Sequence, residues 1–597
     1  MIELVKQLHS MLTPSQKRRL YVMQVLIICM AVFEVAGIAS IGPFMAVVSD
    51  TSLIETNNTL AALYEFTGSQ TSTDFLILMG VGVLSLLTMA SLLSIYTVWR
   101  LAMFGSKLGT EISERLYGHY LKQNWLFHAM GSSAKLTKQV AGEASRVSNS
   151  VIQPLLQISA RLVLVAMIVI GIFIFNPIVA IAGFSIFAVA YLIIYTLVRS
   201  TLLRNGQTIS RLGTTRFKLI NEGFGGIKDV ILLGRQKDFI DRFDDSSNTL
   251  AYVQGNNRTL EQVPRYIIEL ITYGALISLI LSLILADEGN LSSILPVLAI
   301  YALAGFKLLP ATQQIYVGMV QIKANISALD SIKKDLIDSQ SNSLQTDSTV
   351  SRLDLKDSIH LQNIEFTYPA KSETVLKKLD LTIKANSTVG IVGPSGSGKS
   401  TVIDVILGLI EPEEGKLLID GSAINSENKR AWQNSIGFVP QSIFLSEGSI
   451  AENVAFGIAK TEINIEQVKR AISLAHLDEL VSELPEGLNS LVGERGVQLS
   501  GGQRQRIGIA RALYHEPDVL VFDEATSALD GITEKMIMDA IHDFSGQKTI
   551  ILIAHRLKTV QKCDTIFMIN KGELVDSGDY QTLIQNNSIF RNMANHA

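Results

Sequence analysis

The chain reads Gly393-Pro394-Ser395-Gly396-Ser397-Gly398-Lys399-Ser400-Thr401 directly after the apolar run Val389–Val392 and before a helix-like segment that ends near Leu409. Glycines in such a loop let backbone N–H groups wrap around phosphate oxygens, and the N-terminus of the following helix adds partial positive charge. Lys399 is expected to reach the β- and γ-phosphates of a nucleotide, and the Ser400 hydroxyl to bind Mg²⁺. The pattern predicts a phosphate-binding loop between a β-strand and an α-helix.

The residues around this loop have the pattern of an α/β domain that begins near residue 358 and continues to residue 597. Short runs rich in β-formers alternate there with helical segments. The runs are Ile359–Tyr368, Val389–Val392, Ile436–Val439, Val519–Phe522 and Thr549–Ile553. We therefore expect a P-loop ATPase fold for this part of the chain.

A second motif supports the same chemistry. The apolar run Val519–Phe522 ends in two acids, Asp523 and Glu524. A buried strand that delivers Asp523 to a Mg²⁺ ion is what nucleoside-triphosphate hydrolysis requires. Glu524 is then placed to polarise the attacking water. If the chain had no phosphate loop, Asp523 and Glu524 would be interpreted as polar residues that cap the end of a strand.

A second anion site is expected at Ser500, Gly501, Gly502 and Gln503, which precede the helical run Arg504–Leu513. A hydroxyl and two bare glycine amides at a helix start can hold a phosphate. A helix cap would account for Ser500, but we do not expect a cap to account for the glycine pair followed by Gln503.

Composition places the rest of the chain in a membrane. Of 597 residues, 48% are hydrophobic and 18% are charged, and the mean hydropathy is +0.30. Soluble domains carry about 25% charged residues, so a wholly soluble protein is excluded. The net charge of −4 gives no reason to expect nucleic acid as a partner. Cys29 and Cys563 are too few for a disulfide framework.

Three long stretches without Lys or Arg predict three helical hairpins, and so six transmembrane helices. The expected spans are about 20–48, 75–99, 151–175, 177–199, 263–286 and 291–314. Lys and Arg are concentrated on one side of these spans, so the positive-inside rule puts both termini and the long loops, about 100–150 and 200–262, in the cytoplasm. These loops are expected to be helical extensions of the spans.

Two flanking segments are more ambiguous. Residues 1–19 place Leu4, Leu8 and Met11 on one helical face, which fits a helix on the inner membrane surface or an extension of the first span. Residues 323–357 are polar and are interpreted as a linker or a helix tail. The transmembrane domain is thus expected over 20–322 and the nucleotide-binding domain over 358–597.

With these motifs in place, the chain resembles the ATP-binding-cassette (ABC) transporters, specifically an exporter half-transporter of six spans and one cassette. Tyr368 resembles the aromatic residue that stacks on adenine, and Gln441 the glutamine that senses Mg²⁺. Asp530 in Ser527-Ala528-Leu529-Asp530 resembles the D-loop residue, and His555 the switch histidine. Gly493-Glu494-Arg495-Gly496 resembles the segment that touches the cytoplasmic loops.

The resemblance implies that ATP and Mg²⁺ are bound between two copies of the chain. Ser500–Gln503 of one copy would close over the phosphate loop of the other, in a homodimer with two competent sites. Glu524, His555 and Gln441 would be the catalytic residues, and Ser400, Gln441 and Asp523 would bind Mg²⁺. ATP binding would draw the cassettes together, and the cytoplasmic loops would carry that movement to the spans.

The substrate is a weaker inference. An amphipathic stretch in the first outer loop, with Leu60, Leu63 and Tyr64 on its apolar side, is similar to the outer helix of bacterial lipid-linked oligosaccharide flippases. That resemblance implies flipping of a lipid-linked glycan across the bacterial inner membrane, with the outer helix touching the lipid tail. An ordinary ordered loop is the alternative interpretation of this stretch.

Cations at the inner ends of the spans are candidate ligands for the substrate. Arg100, Arg265 and Lys307 could hold a pyrophosphate in a cavity, or could extend to the lipid headgroups. Glu34 and Glu269 lie within apolar runs and are expected to face the bundle interior or to be protonated. A substrate or gating role and an interhelical hydrogen bond are the two interpretations of these acids. Export of lipid A-type lipids, peptides or drugs, and an ATPase that gates a channel or regulates a partner, are the alternative functions.

Overall fold

A computed structural model of the chain describes residues 2–175, 177–286, 291–341, 350–369, 371–493, 499–524, 534–535, 538, 544–554 and 556–595. The chain divides into two compact units. The first consists of Met1–Gln123 and Met130–Ser343, and the second of Asn124–Ala129 and Leu344–Ala597. The first unit is helical and the second contains the β-sheets, which confirms the predicted fold class.

The first unit is built from long helices joined by short ones. They are α1 Ile2–Met11, α2 Pro14–Ser49, α3 Leu53–Thr56, α4 Asn58–Thr67, α5 Ser72–Leu121, α6 Trp125–Met130 (mostly in the second unit), α7 Ser133–Thr137, α8 Ala144–Val147, α9 Gln153–Phe175, α10 Pro177–Gly225, α11 Ile227–Leu232, α12 Gln236–Ala286 and α13 Leu291–Ser341. Two π-helical turns, Lys138–Glu143 and Ser148–Ile152, flank α8. The loops predicted at about 100–150 and 200–262 are therefore mostly helical, as expected.

The predicted spans lie in long helices of this unit, except that the first two residues of 151–175 lie in the π-helical turn before α9. In the described part of the chain, four helical stretches are long and apolar enough to cross a bilayer: Pro14–Ser49, Ser72–Leu121, Ser133–Ile174 and Ser185–Gly225. The spans predicted at 263–286 and 291–314 lie in α12 and α13. The total of six spans stays a prediction.

Local signals explain where the first helices begin and end. Thr13 and Gln16 form a capping box at the start of α2, so α1 and α2 are separate helices. The Leu4, Leu8 and Met11 side chains on α1 are buried in the unit. At the other end, α13 continues to Ser341. Of the two interpretations of 323–357, the helix tail is therefore the correct one for 323–341.

Buried charges join the parts of these helices that lie outside the predicted spans. The Lys138 ammonium lies 2.7 Å from the Glu143 carboxylate, which is almost fully buried. The Arg146 guanidinium donates to the Asn325 side chain on α13 at 2.6 Å, and burial lowers the pKa of this arginine. A buried ion pair is costly to break because it leaves an uncompensated charge. This network therefore fixes the region of the π-helical turns against α10 and α13.

The second unit contains two sheets. A four-stranded antiparallel sheet has the order β2-β1-β4-β5, and a six-stranded sheet has the order β10-β9-β3-β8-β7-β6. The strands are β1 Ser358–Phe366, β2 Leu376–Lys384, β3 Thr388–Val392, β4 Glu414–Ile419, β5 Ser422–Ala423, β6 Ile436–Val439, β7 Val519–Asp523, β8 Thr549–Ile553, β9 Thr565–Asn570 and β10 Glu573–Gly578. All five β-rich runs named from the sequence are strands.

Helices cover these sheets. They are α14 Lys399–Ile406, α15 Lys429–Gln433, α16 Ile450–Val454, α17 Ile465–Leu474, α18 Asp478–Glu483, α19 Gly501–Leu513, α20 Tyr580–Asn586 and α21 Ser588–Asn595, with 3-10 turns at Lys460–Glu462, Gly487–Asn489 and Leu557–Val560. Strands β3 and β8 are buried at every residue, as expected for central parallel strands covered on both faces. The core of this unit holds the sheet rigid at the edge where the site lies.

Candidate functional site

The carboxyl ends of four neighbouring strands bring the candidate residues of the second unit to one sheet edge. Strands β3, β8, β7 and β6 are adjacent and parallel. The phosphate loop follows β3, Glu524 follows β7, and Gln441 lies just beyond β6. Ligands of open α/β sheets bind at this edge. Sequence positions more than 100 residues apart therefore meet in one site, as the motif order predicts.

The loop after β3 has the backbone geometry that its glycines allow. Gly396 and Gly398 have φ values of +79° and +104°, which an L side chain rarely adopts. A Cβ atom at Gly393 would collide with the carbonyl oxygen of Ile569. The loop is thus a concave turn of backbone groups that ends at the N-terminus of α14. This arrangement fits the phosphates of a nucleotide.

The Lys399 ammonium is held against this loop. It donates to the carbonyl oxygens of Gly393 at 2.8 Å and Pro394 at 3.1 Å. Burial lowers the pKa of Lys399, whereas the nearby charges of Glu524 and Asp523 act in the opposite direction. The buried Ser397 hydroxyl has no hydrogen-bond partner among the described residues. A polar ligand would supply the missing partner, which is an independent indication that this loop binds an anion.

Glu524 and Gln441 are joined directly. The Gln441 amide donates to the Glu524 carboxylate with an Nε2–Oε2 distance of 2.7 Å. Glu524 itself has a φ of +50°, which is uncommon for a residue other than glycine. Its backbone N–H donates to the Ile553 carbonyl oxygen of the neighbouring strand. This local geometry turns the Glu524 side chain away from the strand direction at the sheet edge.

Residues of the Mg²⁺ prediction lie at the same edge. Ser400 is exposed in the first turn of α14, and Asp523 is half-buried at the end of β7. A hydroxyl, a carboxylate and an amide oxygen are hard ligands of the kind that Mg²⁺ prefers. The donor set therefore fits the ion. In the described residues no cluster of three or more His, Cys, Asp or Glu side chains is placed to hold a metal ion.

Tyr368 lies beside the phosphate loop. Its hydroxyl is 3.2 Å from the Thr401 hydroxyl in the first turn of α14. Its ring packs edge-on against Phe366 with centroids 5.0 Å apart, and Lys371 lies over the ring. The aromatic residue is thus fixed next to the nucleotide loop, where the sequence places it.

A contact that the sequence did not indicate connects α6 to the same helix. The Trp125 indole donates a hydrogen bond to the Asp404 carboxylate on α14, while burial raises the pKa of Asp404 to about 6. Leu126 packs against the core of the second unit. Nothing local in the sequence indicates this partner on α14. Trp125 therefore contacts the helix that begins with Lys399.

The second anion site has a simpler local explanation than the sequence suggested. Ser500 caps α19, and its backbone N–H donates to the side-chain oxygen of Gln503 at 2.8 Å. This capping box accounts for Gln503, which we had not expected a cap to explain. Gly501 and Gly502 lie in the first turn of the helix and are half-buried. Among the described residues, no hydrogen bond or ion pair joins Ser500–Gln503 to the phosphate loop.

Some of the expected site residues lie outside the described residues. They are His555, Asp530 with the rest of Ser527–Asp530, and Glu494, Arg495 and Gly496. Strand β8, which His555 follows, is described and lies between β3 and β7. The expected roles of these residues stay predictions.

Comparison with known proteins agrees with this geometry. Residues 376–527 match the ABC transporter family, and residues 22–306 match the ABC transporter transmembrane region.

The chain belongs to the ABC transporters.

Its second unit is the ATPase domain of that family. A relative, the ATP-dependent lipid A-core flippase of Pseudoalteromonas translucida, is 42% identical over 243 residues. The match covers 40% of this chain and 42% of that protein, so less than half of the relative's length is spanned.

Two further similarities extend over nearly the whole chain. The ATP-dependent lipid A-core flippase of Escherichia coli is 26% identical over 563 residues, which cover 93% of this ABC transporter and 94% of the relative. The solved structure of a bacterial Atm1-family ABC exporter with ATP bound has a TM-score of 0.78 and 22% identity, and the match covers 97% and 98% of the two chains. This structural likeness confirms the exporter fold.

The three candidate substrate cations of this ABC transporter have different surroundings. Arg100 is exposed. Arg265 forms an ion pair with Glu269 on its own helix, with an Nε–Oε1 distance of 2.6 Å. Lys307 on α13 faces Glu34 on α2, with 3.9 Å between Nζ and Oε2. No recorded hydrogen bond or ion pair joins these three cations to one another in the described part of the chain.

The outer helix predicted near Leu60 is present as α4. Asn57 caps it and Gly68 ends it in a left-handed conformation. Leu60 is buried in a small core with Val47, Ile54 and Phe75, and Tyr64 packs edge-on against Phe75. Two of the three expected lipid contacts therefore pack within the protein, whereas Leu63 is half-exposed and Phe66 is 90% exposed.

Sequence reasoning missed one cation of the spans. The Arg161 guanidinium on α9 donates to the Gln314 side-chain oxygen on α13 at 2.5 Å. The sequence held a usable signal, because Arg161 lies inside the predicted span 151–175 immediately before the cation-free stretch. A charged residue in a span is a candidate functional residue by default.

Proposed function

We propose that this ABC transporter hydrolyses ATP to move an anionic lipid-linked glycan from the inner to the outer leaflet of a bacterial inner membrane. Both termini and the ATPase unit would lie in the cytoplasm. The observation that carries the proposal is the hydrogen bond between Gln441 and Glu524 at the sheet edge of the phosphate loop. This contact supports a role for the Glu524 carboxylate and the Gln441 amide in attack on a nucleotide's outer phosphate.

The residues at this edge have separate tasks in hydrolysis. Lys399 and the loop amides hold the β- and γ-phosphates, and Tyr368 stacks on the adenine. Ser400, Gln441 and Asp523 hold Mg²⁺, which neutralises charge on the phosphates when bound. Glu524 accepts a hydrogen bond from water and aims it at the γ-phosphorus, so that ATP and water give ADP and phosphate. His555 is proposed to contact the γ-phosphate.

We propose that the working unit is a homodimer. In the described residues, no hydrogen bond joins Ser500–Gln503 to the phosphate loop of the same chain, and we propose that they contact the nucleotide of a second copy. A patch at the second cytoplasmic loop, Phe224, Ile231, Leu232 and Leu233, is between 59% and 83% exposed. Apolar side chains outside the bilayer that are this exposed favour a protein partner. A second copy would cover the patch.

The polar groups of the membrane unit support a polar substrate. Glu34, Lys307 and Arg161 lie within predicted spans, where charged groups are costly and usually functional. Each sugar hydroxyl taken into hydrocarbon without a partner costs about 2–7 kcal/mol, so a glycan needs such a path. The exposed Leu63 and Phe66 of α4 would contact the lipid tail.

Two lipid glycans satisfy this chemistry. A lipid-linked oligosaccharide joined by pyrophosphate is the first candidate, because an outer helix is present. A lipid A-type lipid is the second, because the relatives in P. translucida and E. coli are named lipid A-core flippases. Both present phosphate to a cation and sugar to a polar path.

Transport in vesicles tests the proposal. Full-length protein would be reconstituted with a fluorescent lipid-linked oligosaccharide or with fluorescent lipid A, and movement between leaflets would be measured with and without ATP. ATP-dependent movement of either lipid that Glu524→Gln abolishes is expected. Movement without ATP, or normal movement by that variant, would contradict the proposal. Transport of small neutral amphiphiles alone would favour a drug exporter. ATPase activity without transport of any of these lipids or amphiphiles would favour a regulatory ATPase.

A further inference from the structure

The acid Glu34 has an unusual environment among the charged residues of the membrane unit. Its side chain is 8% exposed. One carboxylate oxygen accepts a hydrogen bond from the Ser94 hydroxyl on α5 at 2.6 Å. The other oxygen, Oε2, has no hydrogen-bond partner in the described part of the chain. A buried, half-satisfied carboxylate requires a compensating positive charge.

Lys307 supplies this charge only loosely. Its ammonium lies 3.9 Å from Glu34 Oε2, well beyond the 2.7–2.9 Å that charge-assisted hydrogen bonds usually have. The Lys307 side chain is 48% exposed. By contrast, Arg265 and Glu269 form a tight pair at 2.6 Å within one helix. The Lys307 ammonium is therefore close enough to neutralise the charge of Glu34, and its side chain is exposed enough to bind another anion.

We propose that Glu34 is the internal counter-ion of Lys307 and competes with the anionic headgroup of the substrate for it. The inference rests on the proposed transport of an anionic lipid and assigns a specificity-determining role to Glu34. A phosphate offers Lys307 short charge-assisted bonds that Glu34 does not offer. When Lys307 turns to the phosphate, Glu34 is left buried with Ser94 as its remaining partner.

This competition has consequences for both binding and release. The cost of leaving Glu34 without its cation weakens the hold on the phosphate, so the substrate is bound less tightly than by a free lysine. The return of Lys307 to Glu34 offsets the loss of the phosphate contact and favours release. A neutral amphiphile leaves the pair intact. Glu34 therefore lowers the affinity for the substrate and speeds its release. This effect is limited to anionic substrates.

ATPase stimulation measures these effects. Full-length protein would be placed in phosphatidylcholine nanodiscs with increasing mole fractions of a polyprenyl-diphosphate oligosaccharide, lipid A or phosphatidylglycerol in separate arms. Glu34→Gln is expected to lower the half-saturating fraction of a stimulating anionic lipid about tenfold and to lower the maximal rate. Lys307→Gln is expected to raise the half-saturating fraction. A structural defect alone would not improve apparent affinity while slowing turnover.

Ser94→Ala is the second test and keeps the Glu34 charge. Because it removes the remaining partner of Glu34, it is expected to raise the half-saturating fraction a few-fold. An unchanged or higher half-saturating fraction in Glu34→Gln would overturn the inference, as would an unchanged or lower one in Ser94→Ala. If no anionic lipid stimulates the wild-type protein, the proposed substrate class fails. If Lys307→Gln has its effect and the other two variants do not, the role of Glu34 alone fails.

Discussion

The proposed ATP site and the polar groups of the membrane unit differ in how their side chains are held. At the ATP site, Lys399 and Gln441 donate hydrogen bonds of 2.8 Å and 2.7 Å from loops on one rigid sheet. In the membrane unit, Lys307 approaches Glu34 only to 3.9 Å. The contacts at the proposed ATP site are thus short and lie at one sheet edge, whereas the ion pair proposed to meet the substrate is longer and joins two helices.

The largest effect is expected at the proposed ATP site. Glu524→Gln keeps the size of the side chain but removes the base that polarises water, so ATP hydrolysis should fall by about 100-fold or more. Nucleotide binding should stay, because Lys399 and the loop amides are unchanged. Phosphate release and binding of a fluorescent ATP analogue by the full-length protein measure the two effects.

Glu516→Gln is the matched control for this variant. Glu516 has a φ of +51°, close to the +50° of Glu524, and its partner is Arg470 away from the sheet edge. It should hydrolyse ATP at the wild-type rate. Equal loss in both variants would mean that the backbone conformation, not the chemistry of Glu524, is responsible.

The next largest effect is expected on α4, where two leucine variants distinguish a side chain that packs in the protein core from one proposed to contact lipid. Leu60→Ala removes a buried side chain from the core with Phe75 and should reduce the free energy of unfolding by about 2 kcal/mol. Leu63→Ala removes a half-exposed side chain and should change stability by less than about 0.5 kcal/mol. Thermal unfolding in detergent compares them. Equal destabilisation would show that α4 packs through both faces.

Gln441→Ala tests whether the ATP site depends on its direct contact. Loss of the hydrogen bond to Glu524 is expected to slow hydrolysis about tenfold, in line with about 1–1.5 kcal/mol for such a bond. Steady-state ATPase rates measure it. Gln467→Ala, at an exposed position of α17, is the control and should have no effect. An unaffected Gln441→Ala would remove Gln441 from the catalytic set.

The smallest effect is expected at the exposed loop patch. Leu232→Asp places a charge in an apolar surface proposed to meet a second copy, and transport should fall about fivefold, corresponding to about 1 kcal/mol at an interface. Val575→Asp, on strand β10, also changes an exposed aliphatic residue and should be neutral. Transport per ATP hydrolysed, measured in vesicles, compares the variants. Equal transport per ATP hydrolysed in Leu232→Asp and Val575→Asp would mean that the exposed loop patch does not couple ATP hydrolysis to transport.

The ATP site was the easier part to predict from sequence because its residues lie in contiguous motifs after apolar strands. Strands buried on both faces have unbroken apolar sequences, so β3, β7 and β8 could be predicted. Parallel strands bring their carboxyl ends to one edge of the sheet, so the residues after them could be expected to lie close together. The fold class followed from the same runs and from the long cation-free stretches. The capping-box pattern of Ser500 and Gln503 was also present in the sequence, but was not recognised as the explanation of Gln503.

The membrane unit was harder to predict because its decisive contacts join distant helices. Nothing local in the sequence pairs Glu34 with Lys307, or Arg161 with Gln314. An amphipathic pattern likewise does not say which apolar face meets protein: Leu60 and Tyr64 pack inward and Phe66 outward. The contact between Trp125 and Asp404 joins a loop tip to a helix far along the chain, and only the three-dimensional structure reveals it.

We propose that nucleotide is held between two copies of this chain to drive transport. The most direct measurement is the mass of full-length Glu524→Gln in nanodiscs with ATP and Mg²⁺, together with the wild-type ATPase rate as a function of protein concentration. The account predicts two chains with two ATP molecules, and a rate per chain that falls as the dimer dissociates. A single chain that binds ATP alone, with a wild-type rate per chain that does not change on dilution, would contradict it.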